Sequence, residues 1–262
     1  MVDFGQFFRF ENGCLTPVSD GAEVVMAAAD SFLVNEGRVR SLQAHYARFA
    51  SWVEKAAPQL KTQLAPFFEQ VSAALPRTGR WFPRIELRLE AGQMHLFLRL
   101  RLAPEAMEDI VLWTYPEPDP RLAPSVKGPD LSLCMQLRRM AQVHGATETV
   151  LTDANGFVSE CALSSLVWWR GDVLCSASHE IAWLDGITRA EVLSIAAQMG
   201  VETRLEKVRP EELAGLELWL LSSLQGIKPI VGWVEQKTQP STSHRQLEAF
   251  TKRLRLLETA VA

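Results

Sequence analysis

The sequence predicts an α/β (α+β) protein of two domains. A small N-terminal α/β domain over residues 1–115 is followed by a proline-rich link at 116–125 and a larger, strand-rich domain over 126–262. Three observations carry this. Ile85, Leu87 and Leu89 alternate with charged residues up to the turn at Gly92, and Met94, Leu96, Leu98 and Leu100 alternate on the return, the mark of a strong hairpin. The segment "YPEPDPRLAP" holds four prolines in ten residues, which excludes a helix interior or a central strand and suits a stiff, extended link. From "TETVLTDANGFVSECALSSLVWWRGDVLC" onward the chain reads as consecutive short strands with tight turns at Asn155-Gly156 and Gly171-Asp172. A length of 262 residues is enough for one large or two small domains.

The remaining elements follow in order. "SFLVNEGRVRSL" predicts a hairpin turning at Asn35-Glu36-Gly37. Leu42, Tyr46, Phe49 and Val53 share one face of a helix in "LQAHYARFASWVEKAA", and a second helix is expected from Leu60 to Leu75, before Pro76. In the second half a helix is expected from about Asp130 to His144, with Asp130 as N-cap and Gly145 just past its end. Another is expected from Thr188 to Met199, with Thr188 and Glu191 at capping-box spacing. Ser243 and Gln246 stand where they can cap a last helix, whose Leu247, Phe250, Leu254 and Leu257 form an apolar stripe.

Composition excludes several classes. A hydrophobic fraction of 47% and a net charge of -4 describe an ordinary globular protein, and scattered bases in a mildly acidic chain do not suit nucleic-acid binding. No run approaches a membrane span, and "MVDFGQFFRFENG" lacks the pattern of a secretory signal. Cys14, Cys134, Cys161 and Cys175 form no CxxC pair and the five histidines show no ligand spacing, so no metal is expected. Free, mostly buried thiols point to a cytoplasmic protein. Most of the eight tryptophans sit beside apolar runs and are read as core.

Four ordered segments carry chemistry: "PSVKGPDL" around Lys127, "DANGFVSECALSS" around Glu160, "WLDGITRAEV" around Thr188 and "ELWLLSSLQGIKPI" around Ser223. Alone, each has an ordinary reading: a solvated loop lysine, a strand glutamate, a capping threonine, a serine pair in a loop. Together they offer an amine, an acid beside apolar neighbours, and an N-terminal helix turn, where backbone N–H groups and the dipole favour anions. The link ahead of Lys127 places it at a domain junction, a common setting for ligand pockets.

In order and flanks these segments resemble the class IV (fold type IV) pyridoxal-phosphate enzymes, a family that includes branched-chain and D-amino-acid aminotransferases and aminodeoxychorismate lyase. The resemblance covers roughly residues 30–235. It implies pyridoxal 5′-phosphate as cofactor and a two-domain fold. Lys127 would be the Schiff-base lysine, an amine that must be partly desolvated to be nucleophilic. Glu160, after the "DxxG"-like turn, would sit against the pyridine nitrogen and keep it protonated. Ile187, Thr188 and Ser223 match phosphate ligands, with Ser222 as an alternative to Ser223. Arg48, three residues after His45 in "HYARF", matches the family's phosphate-binding arginine, whose fork suits phosphate.

The implied activity is transfer of an amino group between an amino acid and a 2-oxo acid by a homodimer. The alternatives are pyruvate elimination giving 4-aminobenzoate, or a non-catalytic protein on the same scaffold. The chain departs from the family at Pro129-Asp130, where an asparagine and an aromatic are usual after the lysine. It also departs at Ser165, where an asparagine is usual, and in "VVMAAADSFLV", which takes the place of a "GDGxFET"-like strand. Arg84, Arg88 and Lys228 are candidates for the substrate carboxylate.

Overall fold

A computed structural model describes residues 5–20 and 25–261. Of the segments singled out above, residues 1–4 and Val24 lie outside the described residues. The fold is mixed α/β, as expected, and the chain divides into two compact units. One comprises Met1–Glu105, Val126–Pro129 and Leu257–Ala262; the other comprises Ala106–Ser125 and Asp130–Leu256.

The first unit holds β1 (Gln6–Glu11), β2 (Cys14–Pro17), β3 (Val25–Ser31), β4 (Val34–Asn35), β5 (Arg38–Arg40), α1 (Leu42–Ala56), α2 (Leu64–Ala74), β6 (Arg80–Trp81), β7 (Arg84–Glu90) and β8 (Gln93–Leu100). A short strand from the chain end, Glu258–Ala260, pairs with β5. The main sheet is antiparallel in the order β2-β1-β8-β7-β3. Both expected hairpins form. Glu36 and Gly37 take positive φ (48° and 67°), as do Ala91 and Gly92 (47° and 80°), the geometry that matches strand twist in two-residue turns.

One sheet face packs on α1 and α2: Phe10 meets Phe67 edge-on at 5.5 Å over buried Ile85, Leu87, Leu96 and Leu98. The expected second helix divides. Pro58–Gln63 winds as a 3₁₀ helix and the α-helix begins only at Leu64. Pro66 has no N–H to give, which the first turn of a helix tolerates and its interior does not.

The charged face of β7 and β8 is also buried. Glu86 is fully enclosed and accepts from Arg84 Nε (2.6 Å), Arg88 Nε and Arg99 Nε (3.4 Å). Arg88 and Arg99 also lie 4.3 and 4.6 Å from the centre of the Phe7 ring. Alternation marks a polar face; it does not say whether that face is covered.

The second unit holds β9 (Ile110–Thr114), α3 (Leu131–Val143), β10 (Glu148–Thr152), β11 (Val158–Cys161), β12 (Ser165–Arg170), β13 (Val173–Ala177), α4 (Ile187–Gln198), β14 (Thr203–Glu206), β15 (Glu217–Ser222), β16 (Gly226–Trp233) and α5 (Leu247–Arg255). Its sheet runs β11-β10-β9-β16-β15-β12-β13-β14. α4 and α5 cover Val167, Trp169, Leu174, Trp219 and Leu221, and Trp169, Trp219 and Phe250 form a cluster of edge-on rings. The opposite face holds Trp168, Leu218, Leu220, Ile230 and Trp233.

Helix ends follow the glycines. After α3, Gly145 takes φ +80°, its N–H meets Gln142 O and the Ala146 N–H reaches Ala141 O; Gly200 and Val201 repeat this after α4. The N-termini correct the sequence reading. Asp130 stands at the N-cap of α3 as expected, but its side chain makes no cap bond; its carboxylate instead accepts the backbone N–H groups of Leu122 (3.2 Å) and Ala123 (2.7 Å). Thr188 is inside the first turn of α4, Gly186 is its N-cap and no side chain caps it. Neither Ser243 nor Gln246 makes a side-chain cap on α5. The proline-rich stretch belongs to the second unit and is fastened to β10 through Asp119 N–H to Thr152 O (2.8 Å).

Candidate active site

In the first unit, two site candidates converge on one strand. The backbone of Val126–Pro129 lies along the edge of β3, where the Lys127 carbonyl accepts the Ala29 N–H at 2.7 Å. Gly128 makes this approach possible. It has φ +137°, and a Cβ there would stand 2.8 Å from Ala28 Cα, Ala28 C and Ala29 N. The strap therefore excludes any side chain just after Lys127, and Lys127 itself is half-buried in a bend.

The next residue on β3, Asp30, points at α1. One turn of that helix aligns His45 and Arg48, and both reach it. Arg48 donates Nε to Oδ2 and Nη2 to Oδ1, each at 2.8 Å, and His45 Nδ1 donates to Oδ1 at 2.8 Å. The Ser31 N–H adds a fourth donor. Burial would push the Asp30 carboxyl up, but the Arg48 guanidinium and His45 hold it well below the usual carboxylate range. Arg48 is thereby fixed in orientation, with its guanidinium 5.4 Å from the Trp52 ring centre.

In the second unit, Glu160 on β11 is buried and turned inward. Its Oε1 accepts from Arg121 Nη1 at 2.7 Å and from the Leu184 N–H at 2.9 Å. Arg121 is held from behind by Asp119 through Nε (3.0 Å to both oxygens) and Nη2 (2.7 Å to Oδ2). Burial pushes the Glu160 carboxyl up from its ordinary value, against the pull of Arg121.

The bond to Leu184 links Glu160 to the start of α4, two residues before Gly186. A Cβ at Gly186 would lie 2.8 Å from Ser165 Oγ, so the N-cap rests on the first residue of β12. Ser165 pairs with Leu221, and Ser222 and Ser223 follow directly at the end of β15. Glu160, Ile187, Thr188, Ser222 and Ser223 thus gather at one end of this sheet. Ser222 Oγ accepts the Gln225 N–H (3.0 Å) and closes the turn, which makes Ser223 the better ligand candidate. Arg189, the third residue of α4, is buried with its guanidinium 3.4 Å from the centre of the Trp183 ring. Burial lowers it to about 10, opposed by Asp185 and Glu160.

These donors suit pyridoxal phosphate. A helix N-terminus with no side-chain cap suits a phosphate, and a buried carboxylate with its Oε2 outside both bonds described above suits a protonated ring nitrogen. Sequence reasoning missed Asp30, Arg121 and Asp119. Asp30 had a signal, a lone acid in the apolar run "AAADSF", since a buried charge requires a partner. Arg121, amid prolines, had none.

The class IV amino-transferase family model matches residues 27–233, and the chain belongs to that family, whose members use pyridoxal phosphate. Among curated proteins, a probable branched-chain-amino-acid aminotransferase of Rickettsia conorii is 23% identical over 101 residues, 38% of this chain and 34% of that protein. The branched-chain-amino-acid aminotransferase of Escherichia coli is 33% identical over 73 residues, 28% of this chain and 24% of that protein. The matched regions therefore span about a third of these relatives' length or less.

Solved structures align across the chain. The branched-chain aminotransferase of the thermophilic archaeon Thermoproteus uzoniensis, with norvaline, has TM-score 0.80 at 16% identity, covering 98% of this chain and 99% of that one. The PLP-bound form of a hypothetical aminotransferase from Mycobacterium tuberculosis has TM-score 0.74 at 16% identity, covering 96% of this chain and 98% of that one. At these identities the likeness is one of fold.

Proposed function

We propose that this chain is a pyridoxal-phosphate-dependent aminotransferase that moves an amino group between an amino acid and a 2-oxo acid. The observation that carries the reading is the connected arrangement in the second unit: a buried glutamate whose backbone partner lies two residues before an N-terminal helix turn with no side-chain cap. Family membership and the curated aminotransferase relatives support it.

Lys127 is the residue whose amine would hold the cofactor, and the same amine would serve as the base and acid that takes a proton from the substrate Cα and gives it back. Pyridoxal phosphate, when bound, supplies the electron sink for this proton transfer. Glu160 holds the pyridine nitrogen protonated through its opposite charge. By the family resemblance, Ile187, Thr188, Ser223 and Arg48 are the residues that would hold the phosphate and fix orientation. Ser222 serves by closing the turn that presents Ser223.

The test is the visible spectrum of the purified protein with added pyridoxal phosphate, wild type beside Lys127→Ala. A dialysis-resistant band in the wild type, absent in the variant, is expected. An amino donor should then convert that band to the pyridoxamine form with release of a 2-oxo acid. Bound cofactor that no amino donor converts would refute transamination, and release of 4-aminobenzoate from aminodeoxychorismate would assign elimination instead.

A further inference from the structure

The charges around Glu160 form a unit with a definite sum. Glu160 and Arg121 together carry no net charge, so any pull on a protonated ring nitrogen is local to the Glu160 oxygens. Asp119, bound to the other edge of the same guanidinium, restores one negative charge to the group. All three side chains are buried or nearly so, with exposures of 12%, 5% and 6% for Asp119, Arg121 and Glu160, so each charge acts through a low dielectric and needs compensation.

We propose that Arg121, clamped by Asp119, is the positioning residue that keeps Glu160 ionised and aims its second oxygen at the cofactor's pyridine nitrogen; this rests on the cofactor reading above. The geometry fixes the aim. Arg121 Nη1 and the Leu184 N–H both bond Oε1, which pins one oxygen from two directions. A carboxylate held in this way presents Oε2 in one orientation.

The electrostatics point the same way. Burial alone drives Glu160 toward its neutral form, and a neutral acid would donate to the nitrogen instead of accepting from it. Arg121 opposes that. Burial would lower the guanidinium itself, but Asp119 and Glu160 push it above its ordinary value, so it stays charged. Among the described residues, Asp119 adds its own upward push on Glu160, and Arg189 from α4 and the neighbouring Cys161, whose thiol burial pushes well up and keeps neutral, also bear on it. Arg121 is therefore the cation in direct contact with Glu160. It stands 39 residues away in a proline-rich stretch whose anchoring to β10 and to Asp130 serves to place it.

The test reads the nitrogen directly. Protein loaded with pyridoxal phosphate labelled with nitrogen-15 in the ring is titrated by NMR, comparing wild type, Arg121→Met and Arg121→Lys. The expected result is a protonated-nitrogen signal at neutral pH in wild type, its displacement to the unprotonated position in Arg121→Met, and its return in Arg121→Lys. A merely structural role would lower melting temperature and cofactor retention without moving this signal in the loaded fraction.

A protonated signal in Arg121→Met over the same pH range as wild type would overturn the assignment. Should Arg121→Met fail to fold, Asp119→Asn carries the test. Removing the outer anion is expected to lower the pH at which the nitrogen loses its proton, and an unchanged midpoint overturns the proposal. A wild-type protein that binds no cofactor, or a Lys127→Ala variant that keeps the lysine-bound band, would instead strike at the functional reading beneath it.

Discussion

Asp30 in the first unit and Glu160 in the second are both buried carboxylates facing an arginine, yet their acidities shift in opposite directions. The donors explain it. Asp30 receives a two-pronged Arg48, a histidine and a backbone N–H, and its two oxygens share them. Glu160 receives one arm of Arg121 and one backbone N–H, both on Oε1, and Arg121 is shared with a second carboxylate that repels it. A fully met anion is structural. An anion met on one side only, in a dry setting, is the kind that serves a ligand. The comparison thus gives Asp30 the part of holding Arg48 still and supports the part proposed for Glu160 at the cofactor.

Removing each charge should separate these roles. Asp30→Asn leaves Arg48 and His45 buried without their anion. Breaking a buried pair in this way costs about 3–5 kcal/mol, and the urea midpoint of unfolding should fall accordingly, together with cofactor retention through Arg48. An unchanged midpoint would mean that Asp30 is not the anchor its four contacts indicate. Glu160→Gln should do the reverse. Asp119 still satisfies Arg121, so stability should hold, while loss of an electrostatic partner at the reacting group should lower transamination roughly 10²–10³-fold. A variant with near-normal turnover would remove Glu160 from the site.

The pH dependence of stability sharpens the contrast, because the signs differ. Asp30 has a depressed folded pKa. Its contribution is fully present above the ordinary carboxylate value of about 4 and is lost as pH falls toward the folded value. Glu160 has a raised folded pKa. Relative to the unfolded chain it favours folding below about 4.3, and that advantage is lost as pH rises through the folded value. Unfolding free energies of the cofactor-free protein from about pH 3 to about pH 7 should therefore lose their rising component in Asp30→Asn and a falling component in Glu160→Gln. Parallel curves for the two variants would undo the distinction.

Much of this was legible in the chain, and for identifiable reasons. Turns at Glu36-Gly37 and Ala91-Gly92 and helix ends at Gly145 and Gly200 are local, set by residues that tolerate positive φ. The amine and acid candidates, Lys127 and Glu160, stand in short segments whose order is itself informative. What was not legible is long-range. Arg48 with Asp30 and Arg121 with Glu160 join residues 18 and 39 apart in sequence, and nothing in either segment names its partner. Glu86 among Arg84, Arg88 and Arg99 reads as a solvated strand face until the fold covers it. Thr188 reads as a helix cap because serine and threonine commonly serve so; Gly186, two residues earlier, takes the cap because it lies against Ser165.

That last contact supports the finest prediction. Gly186 has φ -74°, an angle any residue adopts, so its need for glycine is a matter of space alone. A methyl group would meet Ser165 Oγ at 2.8 Å, closer than side-chain carbons are found, and the nearest other atoms are 3.7 Å away or more. Gly186→Ala should therefore displace the α4 N-terminus by a few tenths of an ångström and weaken phosphate holding by about 1 kcal/mol, roughly fivefold in pyridoxal-phosphate affinity. Ser165→Ala removes the obstructing oxygen, so Gly186→Ala combined with Ser165→Ala should recover most of that loss, a non-additive pair as expected of residues in contact. Equal affinity in Gly186→Ala and wild type would show that the phosphate is held elsewhere than at the start of α4. Additive losses in the double variant would show instead that Ser165 acts as a ligand in its own right.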